Sequence, residues 1–290
     1  MATETPVIGI VGGSGLYRMD GLAEVREIRV ETPFGAPSDA FVTGVLDGLR
    51  LVFLPRHGRG HRVSPTEINY RANVHGLKKL GVTRVVSVSS VGSMREDVHP
   101  GDIVVVDQFI DWTRHRPATF FSDGIVAHAN FADPVCAPLS AALLDAARRR
   151  GARVHPSGTY ICMEGPQFST RAESRVYRQW GVDVIGMTNA PEAKLCREAE
   201  ICYATLALVT DYDCWKTDEA SVQIEEVLAV MGRNVALARD ILRLALPALR
   251  EPRSCACRDA LKNAIVTDPK AIAPETRERL EVIAGRHLPR

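Results

Sequence analysis

The sequence contains no long apolar run and no marked excess of charge of either sign. Its most hydrophobic stretch, residues 201–209, is far shorter than the roughly 18 residues that a membrane-spanning helix needs. The first residues, MATETPVIGI, lack the basic segment of a secretory signal. The 36 Lys and Arg residues balance 35 Asp and Glu residues, giving a formal net charge of +1, whereas nucleic-acid binders and polybasic membrane proteins usually show a basic bias. These absences predict a cytoplasmic protein without a nucleic-acid or membrane partner.

The chain lacks an even set of cysteines, since it has seven in 290 residues. Without an export signal, most of these thiols are expected to be reduced and buried. Cys255 and Cys257 are separated by one residue, which could serve redox chemistry or metal binding. A zinc site usually combines two such pairs, and the sequence shows one. It therefore favours a structural or redox role for this pair and predicts no metal.

Short runs rich in Val, Ile and Leu alternate with helical stretches along the chain. The strand-like runs are PVIGIV, FVTGVL, LRLVFLP, TRVVSVSS, GDIVVVD, SGTYICM, VDVIGM and CYATLALV. Several are apolar at consecutive positions, as strands covered on both faces should be, whereas FVTGVL looks half-exposed. The alternation predicts an α/β fold with a largely parallel, twisted sheet. Residues 1–250 form the predicted domain, and residues 251–290 a helical C-terminal extension packed on it.

Helix starts and ends are marked by capping residues, proline and glycine. The predicted helices cover residues 64–81, residues 140–151, a segment starting at Thr170, a segment starting at Asn189, and a long amphipathic segment from Ser221 to Leu249.

A glycine-rich turn follows the first predicted strand in GIVGGSGLY. Its backbone N–H groups can surround an anion, and Ser14 adds a hydroxyl donor. A dinucleotide site is the competing interpretation, but the third glycine of GxGxxG is missing. A plain tight turn is the other alternative.

A basic loop, LPRHGRGH, follows another apolar strand and contains Arg56, His57, Arg59 and His61. Ligands of open α/β sheets lie at the carboxyl ends of strands, and an arginine can hold two phosphate oxygens at once. A solvated surface loop is an equally good interpretation of this motif alone. The two histidines have no third ligand at convincing spacing for zinc.

Ser89 and Ser90 lie where the next strand, in SVSSVGSM, is predicted to end. Three strand ends would thus each bring anion donors to one edge of the sheet. This convergence indicates an anion site more strongly than any one motif, although such serines can also simply cap turns.

Two further helix starts, in EGPQFSTRAES and VIGMTNAPEA, carry hydroxyl or amide donors that cap helices and can also bind anions. The donors are Ser169, Thr170, Thr188 and Asn189. Glu173 and Glu192 are interpreted as capping-box acids rather than general bases.

The TDYDCW motif places Asp211 and Asp213 after a strongly apolar strand. Their spacing puts both side chains on one side if the chain stays extended. A carboxylate can accept a hydrogen bond from an exocyclic amine, and a protonated carboxyl can donate to a purine N7. Two close carboxylates raise one pKa, which favours the protonated form. By itself, the motif fits a turn or a metal site equally well.

Together, these motifs resemble the 5′-methylthioadenosine phosphorylases of the trimeric purine nucleoside phosphorylase superfamily. The resemblance runs from Val7 to about Leu249. The motifs that carry it are GGSGLY, ETPFGAPSD, RHGRGH, NYRANVHGLK, PGDIVVVDQFID, EGPQFSTRAES, MTNAPEA and ATLALVTDYDCW. It implies a single-domain nucleoside phosphorylase fold, with a mixed twisted sheet flanked by helices. The implied reaction converts methylthioadenosine and phosphate to adenine and 5-methylthioribose 1-phosphate, a step of methionine and purine salvage.

The resemblance also implies a role for each matching residue. Phosphate would be held by Ser14, Arg56, His57, Ser89, Ser90 and Thr188. The nucleoside would be bound by Met187 at the ribose, by Phe168, Ser169, Asp211 and Asp213 at the base, and by Ile224, Val227, Leu228 and a neighbouring subunit's His128 at the 5′ group. The implied assembly is a homotrimer or homohexamer. No cofactor is implied, since phosphate is a co-substrate. The Cys255-x-Cys257 tail resembles that of archaeal members, in which it can form a disulfide.

The mechanism implied by the resemblance is a dissociative cleavage with an oxocarbenium-like ribosyl carbon. Preorganised donors would hold the phosphate, and Asp211 would share a proton with N7, directly or through a water.

Other substrates and classes stay open. A phosphorylase for adenosine, inosine, guanosine or methylthioinosine is the nearest alternative, although two aspartates favour a 6-amino base. A nucleoside hydrolase or a catalytically silent nucleoside sensor fits the clustered anion donors less well.

Overall fold

The computed structural model describes residues 6–13, 15–16, 19–216 and 224–288, with only the backbone described for 224–229 and 231. Eleven strands form one sheet in this part of the chain. The strands are β1 (Val7–Gly12), β2 (Ala23–Ile28), β3 (Phe41–Leu46), β4 (Leu49–Pro55), β5 (Val82–Ser93), β6 (Ile103–Val106), β7 (Gln108–Trp112), β8 (Val154–His155), β9 (Thr159–Met163), β10 (Val184–Gly186) and β11 (Cys202–Asp211).

The sheet is mixed, with more parallel than antiparallel pairings. Its main path runs β2-β3-β4-β1-β5-β10-β9-β7, and β11 pairs with β5 and β6. The central pairings, β4 with β1, β1 with β5 and β5 with β11, are parallel, which brings their carboxyl ends to one edge. Hairpins at β2–β3 and β3–β4 and the pairings β5–β10 and β6–β11 are antiparallel. The nucleoside phosphorylase-type α/β fold with a mixed sheet is confirmed, and six of the ten strand pairings in the described residues are parallel.

Strand β3 was expected to be half-exposed, and this prediction is wrong. Phe41, Val42 and Leu46 are all buried. The reason is that β2 pairs outside β3 and takes the edge position, where its own side chains are almost all exposed.

Six α-helices flank the sheet in the described residues. They are α1 (Tyr70–Lys79), α2 (Ala137–Arg149), α3 (Arg171–Gln179), α4 (Asn189–Glu198), α5 (Ile224–Leu249) and α6 (Pro274–Ala284). None of them combines the length and apolar character that crossing a bilayer requires.

The capping signals were right at one helix and misleading at two. Thr170 and Glu173 form the predicted capping box at α3. Ser64 does bond to Glu67, but this closes a turn, and α1 begins six residues later because the Asn69 side chain caps Ala72 N–H. At α4 the Thr188 side chain makes no capping bond and Glu192 is buried, so the capping role predicted for Glu192 is wrong.

Two apolar clusters cover the two faces of the sheet. On one face, α2 and α5 pack over residues such as Val86 and Val88. On the other, α1, α4 and α6 pack over residues such as Val85, as the alternation along a strand dictates. The C-terminal residues contribute to both clusters, through Cys257 in the first and Leu280 in the second.

Candidate active site

A pocket of about 360 Å³ opens at the carboxyl ends of the central strands. Its lining is Gly13, Leu16, Arg56, His57, His61, Pro65, Val88, Ser89, Ser90, Val91, Gly92, Met163, Pro166, Phe168, Ile185, Gly186, Met187, Thr188, Leu208, Thr210, Asp211, Asp213 and Val235. The fold brings these residues together because β1, β4, β5 and β11 run in the same direction, so that the segments following them share one edge.

Arg56 lies at the end of β4, where its N–H bonds to the Gly12 carbonyl at 3.0 Å. Its side chain is 3% exposed, and Glu192 accepts from its Nε at 2.8 Å and from its Nη2 at 3.1 Å. Nη2 also donates to Ser87 Oγ at 2.5 Å, and Nη1 to the Val88 carbonyl at 3.3 Å. Burial opposes the charge, but the Glu192 carboxylate holds the pKa of Arg56 above its usual value.

This bonding limits what Arg56 can offer to a phosphate. A guanidinium has five N–H groups, and the contacts to Glu192, Ser87 and Val88 engage four of them. Among the described residues, one N–H on Nη1 is left for a ligand. Arg56 can therefore offer a fixed positive charge and one directed donor to the pocket.

His57 reaches the pocket as a neutral ring. Its Nδ1 lies 2.9 Å from the Val63 carbonyl oxygen, so Nδ1 carries the hydrogen and Nε2 carries a lone pair. Burial, followed by the nearby Arg56 charge, lowers the pKa of His57 to about 4. The ring stacks on His61 with centroids 4.3 Å apart, which fixes its orientation.

Ser89, Ser90 and Thr188 place hydroxyl groups beside the arginine. Ser89 and Ser90 lie within β5, which continues to Ser93 rather than ending at them as predicted. Thr188 occupies the position before α4 without a side-chain capping bond. Ser89 Oγ has a long contact of 3.4 Å with the Tyr160 hydroxyl, and Thr188 Oγ1 one of 3.2 Å with Asn189. These long bonds are readily exchanged for bonds to an anion. Asn189 itself does not line the pocket; it is fully buried and bonds to Thr205 at 2.6 Å.

Asp211 and Asp213 form the opposite wall. The chain does not stay extended between them: β11 ends at Asp211, and Asp213 has a left-handed φ of 52°. Asp211 nevertheless accepts from the Asp213 N–H at 2.8 Å, and Asp213 accepts from Ser174 at 2.5 Å. Burial is the main cause that raises the pKa of both carboxyls, and the Asp211 charge adds to it at Asp213. Both residues line the pocket, although the chain is not extended between them as the spacing prediction assumed.

Apolar side chains complete the lining of the pocket. Met187 and Ile185 lie on one side, and Phe168, which is 66% exposed, stands at the mouth. Ser169 is placed differently from the prediction: it lies behind the lining, with its Oγ 3.6 Å from the Met163 sulfur. A hydroxyl in this position supports Met163 rather than facing the pocket.

Several predicted residues cannot be located in this pocket. Ser14 lies outside the described residues. Ile224, Val227 and Leu228 belong to the first turns of α5, where the backbone alone is described. His128 is exposed and lies outside this chain's own pocket, with its N–H bonded to the Ala264 carbonyl.

The sequence analysis missed residues whose partners are remote in the chain. Glu192 orients Arg56, and the Tyr203 hydroxyl bonds to the same carboxylate at 2.9 Å. Ser174, fully buried on α3, orients Asp213. Of these residues, Thr210 could have been found from the sequence, because it directly precedes Asp211; its hydroxyl donates to the Asp211 carboxylate at 2.7 Å.

The pocket and fold define a class of enzyme. Residues 7–247 match the model of the phosphorylase superfamily, and the chain belongs to this superfamily.

Relatives within the superfamily are similar over almost their full length. The chain is 63% identical to an S-methyl-5′-thioadenosine phosphorylase of Geobacter sulfurreducens over 97% of this chain and 99% of the relative. It is 52% identical to the Koribacter versatilis protein of the same name, over 97% and 96% of the two chains. The resemblance predicted from the motifs is thus confirmed.

Solved structures of methylthioadenosine phosphorylases are also similar to this chain. A methylthioadenosine phosphorylase from an antarctic soil metagenomic library is 47% identical, with a TM-score of 0.92 over 96% of this chain and 99% of that one. The Schistosoma mansoni methylthioadenosine phosphorylase in complex with adenine is 37% identical, with a TM-score of 0.84 over 90% and 99%.

Proposed function

We propose that this chain is an S-methyl-5′-thioadenosine phosphorylase, which uses inorganic phosphate to release adenine and S-methyl-5-thio-ribose 1-phosphate. The observation that carries the proposal is the polarity of the pocket. One pocket combines cationic and hydroxyl donors, a pair of buried carboxyls and apolar side chains. Arg56 follows β4 and Asp211 ends β11, the two outer strands of the parallel row β4-β1-β5-β11. The names of the relatives at 63% and 52% identity support the same reaction.

Phosphate belongs at the Arg56 wall in this proposal. Arg56 supplies charge and one N–H, and Ser89, Ser90 and Thr188 supply hydroxyl donors. His57 Nε2, being a lone-pair acceptor in the neutral ring, suits a protonated phosphate oxygen. Ser14 belongs to the same set by its place in the sequence.

The adenine ring belongs at the Asp211 and Asp213 wall, with Phe168 against its face. A carboxylate accepts from the 6-amino group, whereas a protonated carboxyl donates to N7. The raised pKa of both groups favours a pair that holds one proton. A 6-oxo base would place an acceptor opposite the ionised carboxylate, which disfavours inosine and guanosine.

The reaction then needs no cofactor, since phosphate is the co-substrate. The C1′–N9 bond breaks with its electron pair going to the purine, and N7 receives a proton from Asp211, directly or through a water. A phosphate oxygen forms the new bond to C1′. The fixed donors hold the nucleophile before attack, and the carboxyl acid neutralises the leaving group. Met187 packs against the ribose between the two.

The 5′-methylthio group needs an apolar subsite. Leu16 and Val235 lie in the pocket lining, and Ile224, Val227 and Leu228 lie on the first turns of the helix that carries Val235. A homotrimer or homohexamer would add the neighbouring subunit's His128 to this subsite. The exposure of both Phe168 and His128 in the single chain supports such an assembly.

The test is an assay of methylthioadenosine, adenosine and inosine, each with and without phosphate. We expect phosphate-dependent adenine release that is fastest with methylthioadenosine. Cleavage of inosine alone would overturn the base assignment, and equal rates without phosphate would overturn phosphorolysis.

A further inference from the structure

Four cysteines meet at the end of the sheet opposite the pocket. The sulfur atoms of Cys136, Cys202, Cys255 and Cys257 all lie within 4.8 Å of one another, and those of Cys202 and Cys255 are 3.3 Å apart. Cys136 precedes α2, Cys202 opens β11, and the other two lie at a 3-10 turn of the C-terminal extension. Three separate parts of the chain thus converge on one cluster of thiols.

The spacing of the four sulfurs matches a tetrahedral metal site. Zinc–thiolate bonds of about 2.3 Å at tetrahedral angles put the sulfurs about 3.8 Å apart. A ligand set of four cysteines closes the coordination sphere and leaves no position for substrate, which is the pattern of structural rather than catalytic zinc. We propose that these four cysteines bind one Zn²⁺ ion that fastens the C-terminal extension to the phosphorylase domain.

The surroundings of the cluster suit bound thiolates. A backbone hydrogen bond from Cys257 reaches the Cys255 sulfur. Cys136 lies directly before α2, and its side chain makes no bond to the helix N-terminus. Cys136, Cys202 and Cys257 are buried in an apolar cluster that shields the site from water.

Two arginines near the cluster can offset the negative charge of a zinc ion bound to four thiolates. When Zn²⁺ displaces the four thiol protons, the ion and its ligands carry a net charge of −2. Arg84, which is 7% exposed, lies within electrostatic range of Cys202, Cys136 and Cys255, and Arg253 is near it. Arg84 also donates to the Glu251 carbonyl, and Arg253 to the Glu200 carbonyl. Both guanidinium groups therefore hold the chain near the cluster while offsetting its charge.

The sequence alone does not show this site. Cys202 and Cys255 are 53 residues apart, and a single Cys-x-Cys pair lacks the second pair that marks a zinc site. The second pair is supplied by Cys136 and Cys202 through the fold. Spacing along the chain predicts no metal, whereas folding brings four sulfurs within 4.8 Å of one another. Cys202 and Asp211 begin and end β11, which separates the cluster from the catalytic wall by roughly 30 Å.

The first test measures metal in the full-length protein, purified with reductant and without affinity metals or chelators. Elemental analysis should find about one zinc per chain. A mercurial reagent that blocks thiols should release this zinc to a colorimetric indicator. Iron in place of zinc, or no bound metal in protein grown with added zinc, would overturn the proposal.

Variants locate the metal. The Cys255→Ser/Cys257→Ser protein should lose nearly all its zinc and about 5 to 10 °C of unfolding temperature, with phosphorolysis at ambient temperature changed less than twofold. Cys196→Ala is the matched control, because Cys196 is fully buried on α4 in another cluster; it should keep its zinc. Equal zinc in both variants would refute the site.

The same four cysteines could instead form disulfide bonds. Counting free thiols distinguishes disulfide bonds from zinc-bound thiolates. Protein purified without reductant and unfolded with a chelator should show all seven cysteines as free thiols. Two missing thiols for each disulfide, without bound zinc, would replace the metal with a redox cross-link. This thiol count requires no activity assay, so its result does not depend on the proposed substrate.

Discussion

Replacing Glu192 with glutamine tests whether phosphate binding depends on the carboxylate that positions Arg56. In the proposed mechanism Glu192 itself does not contact phosphate. Glu192 accepts from Arg56 Nε and Nη2 and from the Tyr203 hydroxyl. A glutamine has the same size, but one carboxylate oxygen becomes an NH₂ group. At either position, this NH₂ group faces an Arg56 N–H. Glu192→Gln therefore leaves a buried guanidinium without its anion and sets a donor against a donor.

The magnitude follows from burial. The side chains of Arg56 and Glu192 are 3% and 4% exposed, and removing one partner of a buried pair costs about 3–5 kcal/mol. In a domain of this size, we expect the unfolding temperature to fall by about 6 to 15 °C. If Arg56 then turns from the pocket, the KM for phosphate should rise roughly 10- to 100-fold, because a hydrogen bond between charged groups is worth about 1.5–3 kcal/mol. The KM for the nucleoside should change far less.

The assay combines thermal unfolding with initial rates at varied phosphate and varied nucleoside. Glu173→Gln is the matched control, since Glu173 also lies in the first turn of a helix but is exposed and caps only α3. Glutamine preserves a capping box, so this variant should behave like the parent. A phosphate KM within twofold of the parent in Glu192→Gln would refute the positioning role.

Two further predictions concern buried carboxyls. Asp211→Ala should lower turnover by about 100-fold or more, since a general acid contributes at least that much; near-normal turnover would remove Asp211 from the mechanism. Glu198 is held by Thr119 and the Phe120 N–H, and burial raises its pKa from 4.5 to about 7. Because the folded-state pKa is the higher one, the protonated form favours folding, and about 3 kcal/mol of stability is lost as pH rises from about 4.5 to about 7. The free energy of unfolding of Glu198→Gln, measured with denaturant, should not fall over this pH range. An equal pH dependence in parent and variant would contradict the role of Glu198.

Local patterns carried a large part of the fold. The apolar runs predicted the positions of β1, β4, β5, β6, β9, β10 and β11, because strands covered on both faces need side chains that are apolar at successive positions. The capping box at Thr170 was also correct. The start of α1 was predicted at Ser64, whereas the structure places the cap at Asn69. Both side chains make hydrogen bonds within the same short segment, so the capping pattern at Ser64 did not decide where the helix begins.

The position of the pocket could also be predicted from the sequence. Donors and carboxyls each follow an apolar run, and the edge of a parallel sheet gathers whatever follows its strands. This reasoning placed Arg56, His57, Ser89, Thr188 and Asp211 together, and the structure does the same.

What the tertiary structure alone decided is how these side chains are held. The packing of α4 against the sheet turns Glu192 inward onto Arg56, 136 residues away in the chain, whereas its sequence context indicates a helix cap. Ser169 is turned behind the pocket, and Cys136 and Cys202 are brought to Cys255 and Cys257. The sequence determined which groups are available and near which strand ends. Their partners follow from burial of whole helix and strand faces, a long-range effect that no local spacing records.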